Sequence, residues 1–148
     1  MQSKHQPIEE LDFFIIFEGV ADWAWKTSSK WPPYIRDNFG VQLTDAADSV
    51  GANLVEGDGR FGSADGIRFL IIARASARET KLWIQRAVRR TLVTEVDGER
   101  QVSEVIRATK LLNLLINYRR SAFKKVVREG RAPYGEVTAD EVLESVIP

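Results

Sequence analysis

Three glycines at the spacing G-x-G-x-x-G, Gly57, Gly59 and Gly62, lie in the stretch EGDGRFGSADG from Glu56 to Gly66. Such a loop cradles a phosphate on its backbone N–H groups when a β-strand runs into the first glycine within a βαβ unit. That context is missing, because the preceding ADSVGANLVEG carries Ala and Leu at helical spacing, and no Gly-Lys-Ser/Thr follows to make a Walker loop. Glu56, Asp58 and Asp65 are hard-cation ligands by type, yet they lack the regular spacing of a calcium loop. Ser49, Ser63 and Ser76 have no histidine partner within a motif, and the lone His5 sits near the terminus. A di-iron bundle would need Glu-x-x-His pairs on two helices, which this chain does not carry. The sequence has no cysteine, which excludes disulfides, thiolate nucleophiles and Cys-based zinc sites. The expectation is a protein that is not an enzyme and uses no cofactor or metal.

Two other groups of residues have chemistry to offer. Trp83 lies among Lys81, Arg86, Arg89 and Arg90, where an aromatic face beside cations could hold a base of RNA, although tryptophans in helical proteins usually serve the core. Asn53 and Glu56 stand one helical turn apart beside an apolar row, as does Glu79 with Arg74 and Arg78 on the following segment. Polar groups next to a core must find partners. The reading favoured is a network of hydrogen bonds and ion pairs between helices, and the alternative is a groove that meets a ligand.

Formal net charge is zero, but the charges come in blocks. Residues 1 to 58 carry four Lys/Arg against ten Asp/Glu, residues 59 to 90 carry eight against two, and residues 107 to 131 carry eight against one. The bland expectation is that acidic and basic helices neutralise one another side by side; the sharper one is a basic surface for RNA. No apolar run approaches the roughly 20 residues of a membrane span, and MQSKHQPIEELD lacks the pattern of a signal peptide. A soluble, cytoplasmic protein without a membrane partner is expected.

The elements that must position these residues are helices. Pro7 followed by Glu9, Glu10 and Asp12 suits a helix start, and the apolar period from Ile8 to Trp25 predicts a first helix over about 7–29, stopped before Pro32 and Pro33. A second is predicted over about 38–57, ended by Gly57 and Gly59. Ser63 reads as the N-cap of a third over about 64–92, although Gly66 stands where a Glu would complete a capping box. Asp97-Gly98 reads as a turn or very short hairpin, followed by a fourth helix over about 101–129. A tail over 130–148 contains Thr138, a candidate cap for a short final helix. Four long amphipathic segments with short connections predict a single all-α domain over 1–148, an antiparallel up-down four-helix bundle.

The stretch SVGANLVEGDGRFGSADGIRFLIIARASARETKLW resembles the signature of the four helix bundle proteins, also labelled 23S rRNA intervening-sequence proteins. That signature reads approximately S-I-x-x-N-I-A-E-G-x-G-R, then a serine and F-x-R-F-L-x-I-A, then S-x-x-E. The matching positions include Ser49, Asn53, Glu56, Gly57, Gly59, Arg60, Ser63, Arg68, Phe69, Leu70, Ala73, Ser76 and Glu79. The resemblance implies a ring-like homopentamer of four-helix bundles. A more distant similarity, to the accessory proteins of diversity-generating retroelements, implies a basic barrel that binds a reverse transcriptase and nucleic acid. One departure bears on function: where family members often carry basic residues before the signature serine, this chain has Thr44, Asp45 and Asp48.

These readings lead to a non-enzymatic, homo-oligomeric scaffold whose partners are itself and RNA or a nucleic-acid-associated protein. Arg86, Arg89, Arg90, Lys124, Lys125 and Arg128 would carry phosphate contacts if RNA is the ligand. Asn53, Glu56, Gly57, Gly59, Arg60, Ser63 and Glu79 form the structural signature. The alternative is a protein-interaction adaptor without nucleic acid.

Overall fold

The computed structural model describes residues 5–130. Four long helices, α1 (Asp12–Ser28), α3 (Val41–Gly59), α4 (Ala64–Arg89) and α5 (Glu95–Arg128), form an up-down bundle, with a short α2 (Pro33–Ile35) and a π-helical turn (Arg36–Gly40) leading into α3. Around the bundle, α1 packs on α3 and α5, and α4 packs on the same two from the other side. Apolar rows from all four meet in one core that includes Phe17, Val50, Leu54, Leu70, Ile84, Leu112 and Ile116. Among the described residues no helix is long and apolar enough to cross a membrane. The predicted tail over 130–148, with Thr138 as a cap, lies almost wholly outside the described residues.

Three helix boundaries differ from the sequence expectation. The first helix begins at Asp12, because Pro7 starts only a 3-10 turn (Ile8–Glu10) and Leu11 is extended at φ −82, ψ 143. The Ile8 N–H, one of the donors a helical start leaves without an intrahelical acceptor, donates to Asp58 on α3, at 3.1 Å. The second helical path begins at Pro33 rather than near 38, since proline at the first helical position gives up an N–H that would have no partner there anyway. Its π-helical turn sets Phe39 against Trp31 and, edge-on, against Trp83, with ring centroids 5.7 and 5.6 Å apart.

The third correction moves the α4–α5 connection forward. Helix α4 closes in a Schellman motif: Leu92 N–H bonds the Ala87 carbonyl at 2.9 Å and Thr91 N–H the Val88 carbonyl at 3.0 Å. The left-handed residue this motif requires is Thr91, at φ 60. Thr94 then caps α5 by accepting from the Asp97 N–H, so Asp97 and Gly98 lie in the first turn of a helix, not in a hairpin. Gly98 is present for packing, because a Cβ there would collide with the Val88 side chain of α4.

The α3–α4 turn follows the same logic. Ser63 accepts from the Gly66 N–H at 3.0 Å, as its cap reading requires. A Cβ on Gly66 would strike the Arg60 carbonyl, and one on Gly57 would come within 2.9 Å of the Gly66 carbonyl. The capping-box position is therefore glycine because two backbones touch there, and Gly62 takes the left-handed turn position at φ +78.

Two substitutions test these turns by chemical denaturation. Thr91→Gly should stabilise the fold by about 1 kcal/mol, since a residue with a Cβ loses roughly 1–2 kcal/mol in the left-handed region and glycine returns part of that as chain entropy. Gly98→Ala, worth up to about 1 kcal/mol of stabilisation in an open helix, should instead cost about 1–3 kcal/mol. Val88 is β-branched and has little rotamer freedom with which to yield. A stabilised Gly98→Ala variant would show that α4 and α5 are farther apart at this point than the Gly98–Val88 contact requires.

Candidate functional site

The signature residues satisfy one another along the chain more than across it. Asn53 donates to the Ser49 carbonyl at 2.8 Å, Glu56 pairs with Arg60 at 2.9 Å, and Glu79 accepts from Trp83 Nε1 at 3.2 Å, each within its own helix or its cap. Arg74 does cross between helices, but to Asn113 of α5 at 3.1 Å. Of the residues expected to link helices, Arg60, the partner of Glu56, also reaches Asp65 of α4 at 3.5 Å, and Arg74 reaches α5, while the bonds of Asn53 and Glu79 stay within their own helices. Asn53, Glu56 and Glu79 each flank the buried row, where a partner one turn away on the same helix is nearer than the next helix.

The polar centre that does join elements was missed in the sequence. Arg119 of α5, 8% exposed, donates from Nη2 to Asp58 Oδ1 of α3 at 2.8 Å. His5 Nε2 lies 3.0 Å from the same oxygen, and Oδ2 accepts the Ile8 N–H. The signal was available: Arg119 continues the row Val105, Ala108, Leu112 and Ile116, and a cation in a core register needs a buried partner. Burial by itself would raise the Asp58 carboxyl, but the hydrogen bonds from Arg119, Ile8 and His5 outweigh it and hold the group below its ordinary range.

The six predicted phosphate-contact residues fall into two groups. Arg86, Arg89 and Arg90 stand at the C-terminal end of α4, with Arg86 stacked on Trp83 and Arg90 on Phe39, both 4.9 Å from the ring centroids. A face of Trp83, which the sequence offered as a platform for a base only as the less favoured reading, thus already carries a guanidinium. Lys124, Lys125 and Arg128 line a shallow cleft near the end of α5, which at 1.5 Å per residue is about 45 Å from the start of that helix. Because α4 and α5 are antiparallel, one compact site cannot contain both groups.

Between them lies a groove of about 530 Å³ with Arg74, Arg78, Lys81 and Lys110 around an apolar floor that includes Ile71, Val105 and Ile106. The i, i+4, i+7 spacing of Arg74, Arg78 and Lys81 could have revealed it. The groove belongs to a wider segregation of charge. Helices α4 and α5 carry fourteen Lys/Arg and six Asp/Glu, whereas α1 and α3 carry one lysine and seven carboxylates. On the acidic side the Glu18 carboxyl is pushed up by burial and by Asp22 and Asp48, and that of Asp48 by burial and by Asp45 and Asp22.

Among the described residues no group of three or more His, Asp or Glu is placed to hold a metal ion. What the fold and its surface define is a four-helix bundle with one basic flank and one acidic flank. The sequence model of the 23S rRNA-intervening sequence protein family matches residues 9–114, more than half of the chain. The chain belongs to that family. No curated protein matches its sequence.

The two kinds of carboxylate predict opposite pH responses. Asp58, with a depressed folded-state pKa, contributes stability that is complete above its ordinary value of 3.8 and drains away as pH falls through the folded value. Glu18, with a raised one, gives stability that is present at low pH and lost as pH rises through its folded value. Glu18→Gln should therefore raise the melting temperature at neutral pH and lose that advantage in acid. Asp58→Ala should cost about 3–5 kcal/mol at neutral pH by leaving a buried guanidinium unpaired, with the deficit shrinking below pH 3.8. Melting curves across pH check both signs.

Proposed function

We propose that the protein is a non-enzymatic scaffold that assembles with copies of itself and engages structured RNA through the groove between α4 and α5. The observation that carries this reading is the cluster of Arg74, Arg78, Lys81 and Lys110 around that groove. Phosphate contacts supply most of the affinity of proteins for nucleic acid, and a groove with cationic rims over an apolar floor suits a backbone lying along it. The end groups Arg86, Arg89, Arg90 and Lys124, Lys125, Arg128 extend the same flank, so the ligand would be long enough to track the helix pair. The family's name refers to 23S rRNA and is consistent with an RNA context. The cytoplasm is the compartment this reading assigns.

For self-assembly the supporting feature is an exposed row on α5. Leu111, Leu114 and Tyr118 follow i, i+3, i+7 spacing, and the last two are 67% and 69% exposed. Large aromatic and leucine side chains aligned on one face of a helix are costly in water and favour burial against another copy. A ring of five is the count that the family resemblance implies. The acidic flank of α1 and α3 favours a second reading, an adaptor that binds a basic protein and no nucleic acid.

Charge reversal of Arg74, Arg78, Lys81 and Lys110 to Glu should weaken binding of structured RNA at least about tenfold and flatten its salt dependence, by about 0.7–0.9 in log–log slope for each phosphate that is no longer neutralised. Unchanged affinity would remove the groove from the site, and recovery of one protein partner from nuclease-treated lysate would favour the adaptor. Separately, Leu114→Glu should reduce the mass seen in sedimentation to that of a monomer while helical content stays unchanged.

A further inference from the structure

A cleft of about 170 Å³ opens beside Arg119, between the α3–α4 turn and the last turns of α5. We propose that this cleft binds a small carboxylate with an apolar body, whose carboxylate accepts hydrogen bonds from Arg119. The site is distinct from the RNA groove, but it adjoins the exposed row on α5, because Tyr118 also lines the cleft.

The first argument is the guanidinium itself. It has five N–H bonds, and Nη2 donates to Asp58, but Nε and Nη1 are buried and have no hydrogen-bond partner among the described residues. Buried donors on a cation with no acceptor are costly, and a second carboxylate could accept from one of them, with the shared Nη2 edge, without displacing Asp58. The cleft supplies the rest of the complement. Its walls include Ile67, Ala122, Phe123 and Val126, with Ser63 and Gly66 at the N-terminus of the 26-residue α4 adding the positive end of a long helix.

Size and polarity narrow the ligand. An apolar cavity of about 150 Å³ holds a benzene ring, so this cleft suits a ring or short chain bearing one carboxylate. Inorganic phosphate fits less well, since a dianion would lose its water to mainly apolar walls. Phe61 stands over the guanidinium, 4.8 Å from its ring centroid, and belongs to the turn between α3 and α4. Its side chain is more than half exposed, and admitting the ligand requires it to part from Arg119 and from His5, whose ring centroid lies 4.2 Å away.

The test is titration of the full-length protein with benzoate, benzyl alcohol and inorganic phosphate, read by calorimetry and by the amide resonances of Gly62, Ser63 and Gly66. Benzoate should bind saturably, and benzyl alcohol about ten- to a hundredfold more weakly, the loss of a charge-assisted hydrogen bond. Arg119→Lys should weaken benzoate, but it also disturbs the pair with Asp58. Ala122→Trp provides the cleaner variant: it fills the cleft from an exposed position and should abolish benzoate binding with the melting temperature unchanged. The proposal is overturned if benzoate fails to saturate, if benzyl alcohol or phosphate binds as well, or if stable Ala122→Trp binds benzoate normally.

Discussion

The bundle is organised around one charge that stands where an apolar residue would be expected. Arg119 continues the buried row of α5, and burying a guanidinium is tolerable only with a partner in reach. Asp58 is that partner, placed by the last turn of α3 after Leu54 has finished the apolar contact. The same carboxylate takes the Ile8 N–H and faces His5, so one side chain ties the N-terminal 3-10 turn, α3 and α5 together. Sliding α5 by a single turn would move the guanidinium by about 5.4 Å and leave it buried alone. Apolar packing tolerates many registers of two helices; this pair tolerates one.

Most of the fold was legible because apolar period and cap chemistry agreed. Ser63 was recognisable as a cap from its type and place, and α4 starts where it predicts. The end of α4 was not legible, because the left-handed position of its Schellman motif is held by Thr91, a residue whose type argues against that conformation. Asp97-Gly98 misled for the converse reason. Its composition signals a turn, while Gly98 is glycine because Val88 leaves no room for a Cβ. The glycines of the 56–66 loop carried the same ambiguity: Gly57 matches a phosphate-loop spacing and is used for helix–helix contact.

The site was less legible than the fold. Basic residues were readable as blocks, but a block says nothing about which end of a bundle its members reach. Arg86 and Lys124 are alike in sequence terms and lie near opposite ends of the α4–α5 pair. Arg119 was hidden among cations, because a run of Arg and Lys reads as solvated until the helical register is imposed on it. Register separates Arg119, which points into the core, from its neighbour Arg120, which follows the side of the helix bearing Lys110 and Lys124.

Zero net charge is a poor guide to what such a molecule attracts. Neighbouring helices lie about 8–10 Å apart and each is about 10 Å thick, so the outer basic and acidic surfaces are separated by about 20 Å. At physiological ionic strength the Debye length is about 8 Å. A polyanion approaching α4 and α5 therefore meets their excess of cations with the carboxylates of α1 and α3 largely screened. The raised carboxyls of Glu18 and Asp48 owe most to burial, and acidic neighbours such as Asp22 add to it, so segregation accounts for only the smaller part of the local cost. Each flank therefore presents one sign of charge to whatever approaches it, which the zero net charge of the chain conceals.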